Sequence, residues 1–91
     1  MKKLVYMDCR KNIIGPQLRR IRKSRRVTQL DLAARMQILG TNLDQQAISN
    51  IENNRRIVTD FELACFCKAL NCTERDLLQD YYEKYDRQDG V

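Results

Sequence analysis

The 91-residue sequence lacks histidine and tryptophan and contains only one proline and three glycines. Without histidine it lacks the side chain most often used as a general base. It also has no glycine-rich phosphate loop and no arrangement of an activated serine or cysteine. We therefore expect no enzyme activity and no cofactor. So few turn-forming residues also leave little room for an all-β fold, which needs many tight turns.

Long apolar runs are missing too. No stretch approaches the ~18 apolar residues that a membrane span needs, and the N-terminus lacks the apolar core of a secretion signal. We expect a cytoplasmic protein without membrane contact. Its four cysteines, Cys9, Cys65, Cys67 and Cys72, are then expected to be reduced thiols.

The charge of the chain is distributed unevenly along its length. Residues 1–26 hold ten Lys and Arg against one acid, whereas residues 59–91 hold four against eight acids. A basic front indicates a surface that meets a polyanion; uneven solvated charge is the alternative. The cations of the predicted first helix are expected to form a solvated basic surface that supplies a long-range field and no specific contact with the polyanion: Arg19, Arg20, Arg22, Lys23, Arg25 and Arg26.

Apolar residues recur at helical spacing, and each run follows a residue suited to a helix N-cap. These residues are Asn12, Thr28, Asp44, Thr59 and Thr73. Thr28 and Thr59 each have an acid three positions later, as in a capping box. The predicted helices are 13–25, 29–39, 45–53, 60–70 and one that follows Thr73. The predicted domain spans 13–85, between an N-terminal arm, 1–12, and a frayed C-terminus, 86–91.

Three segments together resemble the lambda-repressor-like helix-turn-helix family, of the Cro/cI or XRE type. They are TQLDLAARM, LDQQAISNIENNRR and ALNCTERDLL. The resemblance covers about residues 13–80 and implies an all-α bundle of five helices. In this family helices two and three form the DNA-binding pair, and helix three enters the major groove. The sequence departs from the family pattern in the connection between helices two and three, which is about five residues longer than the usual tight turn. We interpret the additional residues as one more turn of helix two and an enlarged loop.

The resemblance also implies which residues meet double-stranded DNA. Gln29 matches a residue that grips a phosphate, and the outward positions of the reading helix are Gln45, Gln46, Ser49 and Asn50. In the loop that follows, Asn53, Arg55 and Arg56 match phosphate contacts. The implied function is that of a sequence-specific transcriptional regulator, a repressor of phage or bacterial type.

The two glutamines suit this function on chemical grounds. A glutamine amide can match the acceptor and the donor that adenine presents in the major groove, and Gln45 and Gln46 fall in the first turn, which meets base edges. Solvent-exposed glutamines without a function are the alternative, because glutamine is a good helix former.

A single reading helix contacts only ~4–5 base pairs. A homodimer on a palindromic operator is therefore expected, with Tyr81, Tyr82 and Tyr85 as the candidate interface.

Two other interpretations remain open at this point. The acidic, tyrosine-containing C-terminal helix could bind a protein partner, as in an antitoxin on the same fold. The four cysteines could hold zinc, but Cys65 and Cys67 are two apart on a helix and point to different faces. Buried thiols are therefore favoured over a metal site, with redox sensing as a further alternative.

Overall fold

The computed structural model describes residues 10–86, with side chains as far as Lys84. Its helices are α1 (Gly15–Ser24), α2 (Gln29–Ile38), α3 (Gln45–Glu52), α4 (Asp60–Leu70), α5 (Glu74–Leu77) and α6 (Gln79–Tyr81), followed by a π-helical turn (Tyr82–Asp86). No strand occurs within residues 10–86, and the predicted all-α fold is confirmed. Within this range no helix is both long enough and apolar enough to cross a lipid bilayer.

The helix starts follow the capping residues that the sequence predicts. Thr28 accepts a hydrogen bond from the Asp31 N–H, and Thr59 accepts one from the Glu62 N–H; both capping boxes are complete. The carboxylate of Asp44 caps α3 by accepting from the Ala47 N–H at 2.8 Å. Each cap satisfies an N–H group that the helix itself leaves unpaired.

The first helix differs from its prediction. It begins at Gly15, with Ile14 at the N-cap position and no side-chain cap. Asn12 is instead buried two residues earlier, where its Oδ1 accepts from the Gly15 N–H at 2.9 Å. Its Nδ2 donates to the carbonyl oxygens of Ile51 at 3.0 Å and Arg56 at 2.7 Å. Asn12 therefore joins the start of α1 to the end of α3.

Helices α1 to α5 pack around a single hydrophobic core. α3 lies against α1 and α2, while α4 packs on α2 and α5. The largest fully buried side chains are Leu18, Leu32, Met36, Leu43, Ile48, Ile51, Phe66, Leu70 and Leu77. Burial of each aliphatic side chain in such a core contributes ~1.5–3 kcal/mol, so the inner face of α3 is firmly anchored.

The connection between α2 and α3 comprises residues 39–44 and begins with a left-handed turn at Gly40, whose φ is 104°. Thr41 and Leu43 are buried within it. The Thr41 N–H donates to the Met36 carbonyl at 3.0 Å. The enlarged connection is therefore an ordered part of the domain.

The last predicted helix is divided at Leu78. Leu78 has φ −93° and ψ 11°, away from α-helical values near −63° and −42°. α5 ends there, and the chain continues as α6 and the π-helical turn. The predicted five-helix bundle thus has its fifth helix in short pieces.

Candidate nucleic-acid interface

α3 presents a polar face outward and an apolar face inward. Gln45 and Gln46 are exposed, and Ser49 and Asn50 are half-buried on the same outer side. Ile48 and Ile51 are fully buried on the other side. Within residues 10–86 both glutamines are exposed, so their amides are accessible to a ligand.

The outer amides of α3 also contact one another. Gln46 Nε2 donates to Asn50 Oδ1 at 3.4 Å, a long hydrogen bond between neighbouring turns. Asn53, which matches a phosphate contact, donates its amide to the Ser49 carbonyl at 2.9 Å. That bond occupies one N–H of Asn53 at the end of α3 and leaves the second available.

Arg22 corrects the prediction of a solvated surface on the first helix. Its guanidinium is buried and forms an ion pair with Glu52, with Nε to Oε2 at 2.6 Å and Nη2 to Oε1 at 3.2 Å. Nη1 donates to the Val27 carbonyl at 2.7 Å. The pair joins α1 to the end of α3 and holds the turn that leads into α2.

Gln29 takes part in the same network. Its Nε2 donates to Glu52 Oε1 at 3.0 Å, and the side chain is half-buried. This contact fixes which side of the amide faces inward. One N–H of Nε2 remains for a second acceptor such as a phosphate.

Arg25 is exposed, as expected, and its side chain also contacts the end of α4. Its guanidinium donates to the carbonyl oxygens of Leu70 at 2.9 Å and Asn71 at 3.1 Å. Arg35 donates to the Ala69 carbonyl at 2.9 Å. Two cations therefore cap the C-terminal end of α4, where positive charge is favoured.

An open groove of about 610 Å³ lies between the end of α1 and the first residues of α2 and α3. It is lined by Arg22, Lys23, Arg26, Val27, Thr28, Gln29, Leu30 and Gln45. Lys23 and Arg26 are exposed and were not predicted as contacts. Their charges are visible in the sequence, but only the packing of α1 on α3 places them beside Gln45. The groove combines cationic and amide donors, a suitable setting for a phosphate.

The two arginines after α3 differ in their surroundings. Arg55 is exposed, and its backbone N–H donates to the Asn50 carbonyl at 2.8 Å. Arg56 is paired with Glu62 in two contacts, Nη1 to Oε1 at 2.9 Å and Nη2 to Oε2 at 3.1 Å. The hydrogen bond to Arg56 lowers the pKa of Glu62, and a backbone N–H of Thr59 acts in the same direction. Arg55 is therefore the freer cation of the two.

The ion pair between Arg56 and Glu62 predicts that part of the free energy of unfolding depends on pH in the acid range. The pKa of Glu62 is lower in the folded chain than its ordinary value of about 4.3. The ionised carboxylate therefore stabilises the fold above that value. The contribution is lost as the pH falls through the folded-state pKa. Urea melts of Glu62→Gln between pH 7 and pH 3 should give lower stability at pH 7 and a shallower decline on acidification.

Glu74→Gln, at an exposed first-turn position of α5, serves as the matched control. Part of the acid dependence should remain in Glu62→Gln, because hydrogen bonds from Thr73 also lower the pKa of Asp76. An unchanged slope in Glu62→Gln would show that the pair with Arg56 does not bias the titration of this carboxylate.

The candidate dimer surface is partly engaged within the chain. Tyr81 and Tyr82 are half-buried and meet edge to face, with ring centroids 5.5 Å apart. The guanidinium of Arg75 lies 4.0 Å above the Tyr82 ring, a cation–π contact. The side chain of Tyr85 lies outside the described part of the chain. Both described tyrosines are partly exposed.

The cysteines on α4 belong to the core. Cys65 and Cys67 are both buried, at 7 % and 8 % exposure, although they were expected on different faces. Burial raises the pKa of the Cys67 thiol to about 12, and the pKa of Cys72 is raised as well. Both thiols are therefore protonated at neutral pH. Cys9 lies outside the described residues, and within them no group of cysteines and carboxylates is placed to hold a metal ion.

A polar helix supported from behind by a second helix, with cationic side chains at both of its ends, defines a helix-turn-helix DNA-binding domain. The chain belongs to the helix-turn-helix family of lambda-repressor-like, XRE-type transcription regulators, whose sequence profile matches residues 18–77.

Among solved structures, the chain is similar to the clp gene regulator ClgR from C. glutamicum. The two share 24% identity with a TM-score of 0.69, over 92% of this chain and 96% of that one. At this identity the likeness shows the fold alone. No curated protein matches the chain.

Proposed function

We propose that this protein binds double-stranded DNA sequence-specifically by placing α3 in the major groove, and that it represses transcription by occluding a promoter. The observation that carries the proposal is the outward amide face of α3, with Gln45 and Gln46 exposed in its first turn. An α-helix of ~10–12 Å diameter fits the ~12 Å major groove.

The amides would supply the sequence preference. Gln45 and Gln46 can each pair with the N7 acceptor and N6 donor of adenine, and such a contact discriminates against a wrong base by ~1–3 kcal/mol. Ser49 and Asn50, one turn further along the same side, would meet the next base edges. The hydrogen bond from Gln46 to Asn50 would orient both side chains before binding.

Phosphate contacts would fix the position of α3 on the duplex. Arg55, Arg56 and Asn53 would serve the end of α3. Gln29 would contact a phosphate at the start of α3. Lys23 and Arg26 line the same groove as Gln29, and we propose them as further phosphate contacts at this end. Each cation that neutralises a phosphate releases counterions, so affinity should fall steeply with salt. The exposed Arg55 is better placed than Arg56, whose charge is shared with Glu62.

We propose a homodimer on a palindromic operator, because one reading helix spans too few base pairs for useful specificity. Two copies would place their α3 helices ~34 Å apart, one turn of the duplex. The half-buried Tyr81 and Tyr82, together with Tyr85, form the candidate contact.

Selection of duplexes from a random pool tests this function. The parent should enrich a palindrome, and Gln46→Ala should relax the choice at one base position in each half-site while leaving the rest intact. Gln79→Ala, which removes an exposed amide from α6, is the control and should enrich the same palindrome as the parent. Enrichment of no sequence by the parent would contradict the proposal. Uniform weakening by Gln46→Ala would mean that this residue is not a base reader.

A further inference from the structure

The connection between α2 and α3 presents one exposed amide from a fixed backbone. Asn42 is exposed between two buried residues, Thr41 at 8 % and Leu43 at 2 % exposure. Within residues 10–86 no hydrogen bond involves the Asn42 side chain. Among residues 39–44 Asn42 bears the only amide side chain, and this residue is exposed, as are Gly40 and Asp44.

Hydrogen bonds hold the backbone on each side of Asn42. Thr41 bonds to the Met36 carbonyl through its N–H at 3.0 Å and its Oγ1 at 3.1 Å. The Leu43 N–H donates to Thr41 Oγ1 at 3.3 Å, and its carbonyl accepts from Gln37 Nε2 at 3.1 Å. A polar group on such a support loses little conformational entropy when it binds.

The position of this amide is set by the start of α3. Asn42 precedes Gln45, the first residue of α3, by three positions, so their Cα atoms are at most about 11 Å apart. A helix that fills the major groove leaves no space beside its first turn. With α3 docked in the groove as proposed, the chain that leads into its first turn lies close to the sugar-phosphate rim.

We propose that Asn42 donates an amide hydrogen bond to a phosphodiester oxygen beside the N-terminal end of α3. This inference rests on the proposed docking of α3 in the groove. Asparagine is among the side chains that contact phosphates in protein–DNA complexes. Since the amide is neutral, the contact positions α3 without releasing counterions. Asn42 and Arg55 then hold α3 from its two ends, one by a neutral donor and one by a charge.

Two substitutions at Asn42 separate this contact from a base contact. In titrations of the full chain with its selected duplex, Asn42→Ala should weaken binding about fivefold for each half-site, the range of one hydrogen bond. It should do so equally for matched and mismatched duplexes, with an unchanged salt slope. Asn42→Lys should restore affinity at low salt and steepen the slope of log K against log salt by about one for each half-site.

Gln79→Lys, which adds the same charge on α6, is the matched control. A slope that steepens equally in Gln79→Lys would overturn the proposal, because net charge alone would then explain the effect. A changed preference at one base position in Asn42→Ala would also overturn it. If Asn42→Ala and Asn42→Lys both behave as the parent while the palindrome is still enriched, only the Asn42 contact fails. If no sequence is enriched, the docking of α3 and this contact fail together.

Discussion

Replacement of Gly15 by alanine is expected to lower the free energy of unfolding by about 2–3 kcal/mol. A Cβ atom at Gly15 would lie 2.5 Å from the Ile51 carbonyl oxygen and 2.8 Å from that of Glu52. Both atoms belong to the backbone at the end of α3, so neither can rotate away. Overpacking of this kind typically costs ~1–3 kcal/mol. The substitution would push α1 away from α3 and break the hydrogen bonds of Asn12 to the Gly15 N–H and the Ile51 carbonyl.

Urea or thermal unfolding measures this effect. For a domain of this size the melting temperature should fall by about 10–20 °C. Pro16→Ala is the matched control, because Pro16 is the next residue and is exposed, and its melting temperature should change little. Equal stability of Gly15→Ala and the parent would mean that α1 does not approach the end of α3 as closely as described.

Most of the fold could be predicted because its helix ends are encoded locally. The side chain of Thr28 meets the N–H of Asp31, three residues on, and Thr59 and Glu62 repeat the arrangement. Such caps can be read without knowledge of tertiary structure. The division of the last helix at Leu78 could not be predicted this way, since Leu78 is a good helix former and no proline or glycine marks the break.

The surroundings of the interface were less predictable, because they depend on residues far apart in sequence. The outward position of Gln45 and Gln46 follows from the period of the buried residues on α3. The burial of Arg22 does not, because its partner, Glu52, is thirty positions away. In the sequence Arg22 is one of six cations assigned to the first helix, and this pattern predicts a solvated side chain. Similarly, Lys23 and Arg26 come beside Gln45 only when α1 packs on α3.

Loss of the Arg22–Glu52 pair should have the largest effect on stability. The two side chains are only 8% and 2% exposed, so removal of one partner leaves a buried charge without compensation. Such a loss costs ~3–5 kcal/mol. Glu52→Ala should therefore unfold at much lower urea concentration than the parent, and Arg22→Ala should behave similarly. If either variant loses less than about 1 kcal/mol, water reaches the remaining charge and the pair is not buried in solution.

The double variant Arg22→Met, Glu52→Leu separates stability from DNA binding. Replacement of both buried charges by apolar side chains of similar volume is often neutral or stabilising, so the double variant should recover most of the stability that each alanine variant loses. Gln29, however, loses the Glu52 oxygen that orients its amide. We therefore expect weaker binding to the selected duplex, with sequence preference kept because Gln45 and Gln46 remain in place. Full affinity in a stable double variant would show that Gln29 does not depend on Glu52. If the double variant stayed as unstable as the single variants, the network would stabilise the fold through the hydrogen bonds to Val27 and Gln29 as well as through its charges.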